Sequence, residues 1–260
     1  MDVGATVFDW EAGALVPRDD CAVTPAVLRV ADSFLVSDGS ALATGLHRAR
    51  FTESAREQGF GDAHRLSDFW DAALAGVPRE GAWFPRFELV RMRDADRLRF
   101  LLRPAPELHA TVVLSTAASD PRRTPTIKGP DLEQLSVLRQ RAQRAGADEA
   151  VILDTGRVSD GATTALLWWR GDVLLAPPLS FPRVDSVGAR SVRAIAAALG
   201  VPVDEEAATP AELAGCVVWA VNALHGIREV TEWIGGPGVG RDPRRTAAWR
   251  DRFAALSRPL

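Results

Sequence analysis

What most constrains this chain is a succession of amphipathic helix and buried strand through its second half. From Pro130 the apolar residues Leu132, Leu135, Leu138 and Ala142 recur at helical spacing, and Gly146 ends the run. Glu149 to Leu153 then reads as a strand, turned by Asp154-Thr155-Gly156. Val187 to Leu199 repeats the amphipathic pattern up to Gly200, and Cys216 to Val221 is apolar in the manner of a buried strand. Helices with one apolar stripe, interleaved with buried strands, need a sheet to pack on. The pattern predicts an α/β or α+β fold in two lobes.

The rest of the chain fits that frame. Val30 to Val36 is a strand, and Ser37-Asp38-Gly39-Ser40 is a hairpin turn, because Asp-Gly tolerates positive φ. Helices are expected from about Leu46 to Gln58 and from Leu66 to Ala75. Glu88 to Met92 and Leu98 to Leu102 read as strands paired around Arg93-Asp94-Ala95-Asp96, and Ala110 to Ser115 as another strand. Ala117 to Pro125, broken by Ser119, Pro121 and Pro125, reads as an interdomain linker. The expected division is a lobe over 1–118, a linker over 119–127 and a second lobe over 128–260. Arg157 to Trp169 continues extended around an irregular Ser159-Asp160-Gly161 step, and Val173 to Ala176 is a strand before Pro177-Pro178. Gly235 to Gly240 reads as a mobile glycine-rich loop ahead of a last helix from about Thr246. No internal repeat is visible.

A formal charge of −3 is too small to imply a nucleic acid or an acidic membrane as partner. The two cysteines, Cys21 and Cys216, lie far apart, which excludes a CxxC metal site and fits a reduced, cytoplasmic setting. Met1 to Trp10 lacks the basic start and apolar run of a signal peptide, and no apolar stretch reaches membrane-spanning length. One count goes further. Against 30 arginines there is a single lysine, Lys128. A GC-rich coding bias explains the preference for arginine. Guanidinium nevertheless stays protonated and cannot form an imine, so a lone retained lysine is also a candidate nucleophilic amine.

Around Lys128 the sequence runs Lys128-Gly-Pro-Asp131-Leu-Glu-Gln134, then Ala145-Gly-Ala-Asp-Glu-Ala150-Val-Ile-Leu-Asp154, then Gly156-Arg-Val-Ser-Asp160-Gly-Ala-Thr-Thr164. This resembles the cofactor core of the class IV aminotransferases, the fold-type IV pyridoxal-phosphate enzymes, from about residue 124 to 233. The resemblance implies a two-lobed fold with a small N-terminal α/β lobe, a larger C-terminal lobe and the cofactor in the cleft. It implies pyridoxal 5'-phosphate as cofactor and a homodimer. Lys128 matches the imine lysine, which doubles as general base and acid at the substrate carbon when its amine is neutral. Asp160 falls where the family has a glutamate facing the ring nitrogen; a turn aspartate before Gly161 fits the residues equally.

Ser186-Val187-Gly188, at the start of a helix, is similar to the family's phosphate turn, with backbone contacts from Val187 and Gly188, or from Gly188 and Ala189 if the alignment slips by one. Leu46-His47-Arg48-Ala49-Arg50-Phe51 resembles a family stretch whose arginine binds the phosphate, so Arg50 inherits that role. Asn222 and Ala223, in Val221-Asn-Ala-Leu-His225-Gly226, match the last phosphate-side loop.

The chain departs from the family pattern in two places. It has no tyrosine, and Ala31-Asp32-Ser33-Phe34 stands where the family carries Gly-Asp-Gly-x-Phe. The resemblance leaves the reaction open. Asn222-Ala223-Leu224 is closer to aminodeoxychorismate lyase, whereas many transaminases carry hydroxyl residues in that loop. A branched-chain or D-amino-acid transaminase is the alternative, with a small amine or amino acid as substrate in either case. The missing tyrosines and Asp160 motivate a third reading, a catalytically silent binding protein, and the retained Lys128 opposes it.

Overall fold

Alternating apolar residues make short antiparallel strands on either side of two helices in the N-terminal part of the chain. The computed structural model describes residues 4–18, 26–93 and 95–260; Met1 to Val3, Cys21 and Asp94 lie outside them. β1 (Thr6–Glu11) folds back on β2 (Ala14–Pro17), and β3 (Val27–Ser33) follows. β4 (Val36–Ser37) and β5 (Ser40–Leu42) flank the expected turn, where Asp38 and Gly39 both take positive φ, 45° and 70°. Two helices come next, α1 (Thr44–Glu57) and α2 (Ala63–Ala75); Asp62 caps α2 by accepting the Arg65 N–H at 2.9 Å. β6 (Ala82–Trp83), β7 (Arg86–Met92) and β8 (Ala95–Leu102) complete this stretch. The main sheet runs β2-β1-β8-β7-β3, antiparallel throughout.

One face of that sheet supplies an aromatic core. Phe87 and Phe100 pair across β7 and β8 and meet Phe34, Phe51, Phe69 and Trp70, all fully buried, with the Trp70 and Phe87 rings 4.0 Å apart. Burial of each such ring is worth about 1.5–3 kcal/mol, enough to fix which face of α1 and α2 turns inward. Because strand side chains alternate, Glu88 and Arg99 stand on the opposite face. There the fully buried Glu88 accepts from Arg99 at 2.7 Å and pairs with Arg86 at 2.5 Å.

The second half builds a mixed sheet. β9 (Thr111–Thr116) leads through α3 (Leu132–Arg144) to β10 (Glu149–Asp154), which pairs parallel to β9, as a βαβ crossover requires. β11 (Arg157–Gly161), β12 (Ala165–Arg170) and β13 (Val173–Ala176) follow, then α4 (Val187–Leu199), β14 (Val203–Glu205), β15 (Val217–Asn222) and β16 (Gly226–Ile234). The order is β11-β10-β9-β16-β15-β12-β13-β14. Val151 and Leu114 point into one core with Val158, Leu166, Trp168, Val218 and Trp233, while Ala150 and Ile152 face Leu138 and Ala142 of α3. α5 (Pro243–Ala254) packs on β16, and β17 (Ser257–Pro259) returns to pair with β5.

Several expectations shift. The compact units are not 1–118 and 128–260: the first comprises 1–107 with 127–130 and 257–260, the second 108–126 with 131–256. The Ala31 N–H bonds the Lys128 carbonyl at 2.7 Å, which ties 127–130 to β3. β9, in turn, lies between β10 and β16, so the supposed linker starts from an inner strand of the second sheet. α3 begins at Leu132, leaving Pro130 with the first unit. The irregular step is a bulge: Ile152 pairs with Asp160 and Leu153 with Val158, leaving Ser159 over, and Ala162–Thr164 then separates β11 from β12. The Gly235–Gly240 loop is tied down. Gly215 N–H donates to the Gly238 carbonyl and Gly240 N–H to that of Cys216, each at 2.8 Å. Among the described residues, no helix is long and apolar enough to cross a membrane.

Candidate active site

In the first unit, β3 positions two of the expected residues at successive places. The backbone of Lys128 is seated on Ala31 by the 2.7 Å bond. Its neighbour Gly129 has φ +144°, and a Cβ there would lie 2.7 Å from Val30 Cα and 2.8 Å from Ala31 N. Only glycine lets the lysine segment lie this close to the strand. One residue on, fully buried Asp32 accepts from Arg50 Nε at 2.8 Å and Nη2 at 2.9 Å, and stands 2.7 Å from His47 Nδ1. Burial by itself would raise the Asp32 carboxyl, but the Arg50 guanidinium and His47 outweigh it and hold it well below the usual carboxylate range. Asp32 therefore anchors Arg50, whose side chain is 15% exposed. Sequence reasoning assigned no role to Asp32, although Ala31-Asp32-Ser33-Phe34 was the signal.

In the second unit, Asp160 lies on β11 with its side chain 13% exposed. Burial pushes its carboxyl up to about 7, opposed by the nearby Arg122 and Arg183 guanidinium groups. Arg122 Nη1 reaches Asp160 Oδ2 at 3.2 Å. Arg183 is held by the Pro177 carbonyl at 2.8 Å and by the Pro178 and Phe181 carbonyls. Neither arginine was legible beforehand. Arg122 lay in the supposed linker and Arg183 in a proline-rich stretch.

The start of α4 is where the sequence places the phosphate. The first N–H groups of a helix have no intrahelical acceptor, and the helix dipole adds positive potential there. Ser186 caps the helix by accepting the Ala189 N–H at 3.2 Å. A Cβ on Gly188 would sit 2.9 Å from Val221 Cγ1 and 3.6 Å from the Asn222 carbonyl carbon, so the helix start presses on the end of β15. Asn222 Oδ1 then accepts the N–H groups of Leu224 and His225, at 3.1 and 2.8 Å, closing the turn that carries Ala223. Burial holds His225 down to about 4, and its Nδ1 accepts the His109 N–H at 3.2 Å.

The structure thus gathers Val187, Gly188, Asn222 and Ala223 at one place, and ties the Lys128 backbone and the Arg50 side chain to successive residues of β3. Asp160 stands beside Arg122. A seated lysine, a sequestered carboxylate and a helix start closed by a tight turn are the groups pyridoxal phosphate requires, so the residues present fit that cofactor.

The family profile described as amino-transferase class IV matches residues 29–233. No curated protein matches the chain in sequence. Solved structures do match in fold. A fold IV-transaminase, CpuTA1, from Curtobacterium pusillum aligns with TM-score 0.83 at 17% identity, over 96% of this chain and 97% of that one. A hypothetical aminotransferase from Mycobacterium tuberculosis gives 0.81 at 19%, over 97% and 98%. The branched-chain amino acid aminotransferase from Escherichia coli gives 0.78 at 18%, over 97% and 94%.

Proposed function

We propose, from the premise that the chain belongs to the class IV aminotransferase family, that this pyridoxal-phosphate-dependent enzyme converts 4-amino-4-deoxychorismate into 4-aminobenzoate and pyruvate. The observation that carries the reading is the turn after β15. It runs Asn222-Ala223-Leu224 and is closed by the Asn222 side chain, with no hydroxyl residue in it. Bound pyridoxal phosphate supplies an electron sink for charge that develops on the substrate.

The chain's own residues do the rest. Lys128 Nζ would hold the cofactor through its amine; as a neutral amine it would take the proton from the substrate ring carbon and return one to the departing enolpyruvyl group, which leaves as pyruvate as the ring becomes aromatic. Asp160 would hold the ring nitrogen, its carboxylate favouring a protonated ring. Val187 and Gly188 present backbone N–H groups to the phosphate from the α4 start, with Asn222 and Ala223 beside them and Arg50 supplying positive charge. A homodimer in the cytoplasm belongs to the same proposal.

Transamination is the second reading. It is favoured by the relatives' descriptions, among them the M. tuberculosis protein bound to α-ketoglutarate and PMP. Lys128 would then move a proton between the substrate carbon and the cofactor, and a keto acid would accept the amino group.

Visible absorption of the purified protein with added pyridoxal phosphate tests the premise common to both. Wild type is expected to show a pH-dependent band that borohydride abolishes and Lys128→Ala lacks. Identical colourless spectra would end the assignment of Lys128. Pyruvate release from 4-amino-4-deoxychorismate without any keto acid then supports the lyase; amino-group transfer that needs a keto acid, with no pyruvate released, would replace it with the transaminase.

A further inference from the structure

We propose that Arg122 is a positioning residue: clamped by Asp120, it holds the Asp160 carboxylate ionised and aimed, so that the proton between Asp160 and the cofactor ring rests on the ring nitrogen. The proposal rests on the reading above that Asp160 faces that nitrogen. It begins with the segment 117–126, to which the family resemblance gave no function. Arg122 is 4% exposed and one edge of its guanidinium is fully committed. Nε donates to Asp120 Oδ1 and Nη2 to Asp120 Oδ2, both at 2.9 Å, and the Arg122 backbone N–H donates to Asp120 Oδ1 at 2.9 Å. A guanidinium is a rigid planar fork, so fixing one edge fixes the direction of the remaining nitrogen. That nitrogen, Nη1, meets Asp160 Oδ2 at 3.2 Å. One carboxylate oxygen of Asp160 is thereby engaged, and its orientation is set.

The other charged groups around Asp160 are occupied elsewhere. Arg183 acts on it only at a distance, because its nitrogens are spent on the Pro177, Pro178 and Phe181 carbonyls. Glu149, on the adjacent strand, is buried and binds the Thr163 hydroxyl and the Ala150 N–H. Asp131, which faces Arg122, accepts the N–H groups of Arg123 and Thr124 at 3.0 and 2.8 Å. Arg122 is thus the charged group in direct contact that opposes the cost of burying the Asp160 charge, alongside a hydrogen bond from the Gly161 backbone. A carboxylate next to a pyridine nitrogen shares one proton with it. Stabilising the carboxylate moves that proton to nitrogen, which makes the ring the better electron sink; losing the stabilisation returns it to oxygen. The alternation Asp120, Arg122, Asp160, ring nitrogen is one of alternating charge in which each member favours the next.

The test has an arm that needs no cofactor. Protein carrying 13C-carboxyl aspartate is titrated without cofactor, with Asp160→Asn assigning the resonance. Arg122→Gln is expected to raise the Asp160 midpoint by about 1–3 pH units, and Arg122→Lys by less than about half a unit. Asp120→Asn, which frees the clamp, should give an intermediate rise. An unmoved Asp160 midpoint in folded Arg122→Gln overturns the proposal; should that variant not fold, an unmoved midpoint in Asp120→Asn does the same. The second arm loads ring-15N pyridoxal phosphate. Wild type should show a protonated ring nitrogen, and Arg122→Gln a shift toward the unprotonated value at the same pH, restored by Arg122→Lys. Equal 15N shifts in wild type and Arg122→Gln also overturn it. If wild type takes up no cofactor, the proposed function falls, and with it the role of Arg122 toward the ring, whatever the 13C arm shows.

Discussion

Replacing Gly129 by alanine tests how Lys128 is placed. The added Cβ would lie 2.7 Å from Val30 Cα, 2.8 Å from Ala31 N and 2.9 Å from Val30 C. All three are backbone atoms of a strand paired with β7, so no side-chain rotation relieves the collision. Two costs add. Alanine at φ +144° loses about 1 kcal/mol to backbone strain, and forcing an extra methyl into a packed contact costs about 1–3 kcal/mol. The stiffer unfolded chain returns about 0.4–1 kcal/mol in the opposite direction by making U worse. The net loss is about 1–3.5 kcal/mol, or about 2–14 °C in Tm for a chain of this size. Gly156→Ala is the control, because Gly156 also has positive φ (+82°) but its Cβ would meet open space. It should lose about 1 kcal/mol or less. Urea denaturation of wild type and both variants, with cofactor absorbance followed in parallel, separates the terms. Gly129→Ala should be less stable than Gly156→Ala by at least about 1 kcal/mol and should bind cofactor more weakly. Equal stabilities would refute the claim that backbone contact with β3 seats the lysine.

Three further outcomes are expected. Asp32→Asn removes one partner of a buried ion-paired cluster and should cost about 3–5 kcal/mol; because the folded Asp32 carboxyl is held below its unfolded value, its stabilisation is complete above about pH 4 and is lost as pH falls, a dependence that denaturation curves should show vanishing in the variant. Asp160 has the opposite sign. Its folded value is raised to about 7, so the protein without cofactor should lose about 1.4 kcal/mol per pH unit between about pH 4 and 7, and Asp160→Asn should abolish that slope in denaturation series from pH 5 to 8. Finally, Gly188→Val displaces the start of α4 from Val221 and Asn222 and should weaken pyridoxal phosphate binding about tenfold or more, about 1.4 kcal/mol, while leaving pyridoxal itself little affected in equilibrium titrations. Equal losses for both ligands would remove the phosphate from that helix start.

Local patterns survived translation into structure where they depend on nearest neighbours. The Asp38-Gly39 turn, α4 with Gly200 following it, and the paired strands β7 and β8 follow from turn chemistry and apolar spacing over a few residues, which no distant contact overrides here. The family resemblance likewise needed only contiguous motifs, from Lys128 through Asp160 to the α4 start and the Asn222 turn. β16 escaped notice although, at nine residues, it is the longest strand among the described residues. Arg228, Glu229 and Glu232 hide its apolar alternation, and Arg228 and Glu229 are nonetheless buried, with Glu229 paired to Arg241.

What only the tertiary structure decided is the set of partners brought together across long sequence distances. The apparent linker supplies Arg122 to Asp160, 38 residues away. Asp32, in the stretch that departs from the family signature and to which no role was assigned, anchors Arg50. The segment 127–130 joins the first unit although its neighbours on both sides belong to the second, because a backbone bond to Ala31 and a side-chain-free Gly129 hold it on β3. By itself the sequence determined which residues could do chemistry, since an amine, a carboxylate and a helix start are properties of residue types and short spacings. Which charges face one another follows from strand register and chain return, and these are fixed by burial of the whole core, which has no signature in any short stretch of sequence.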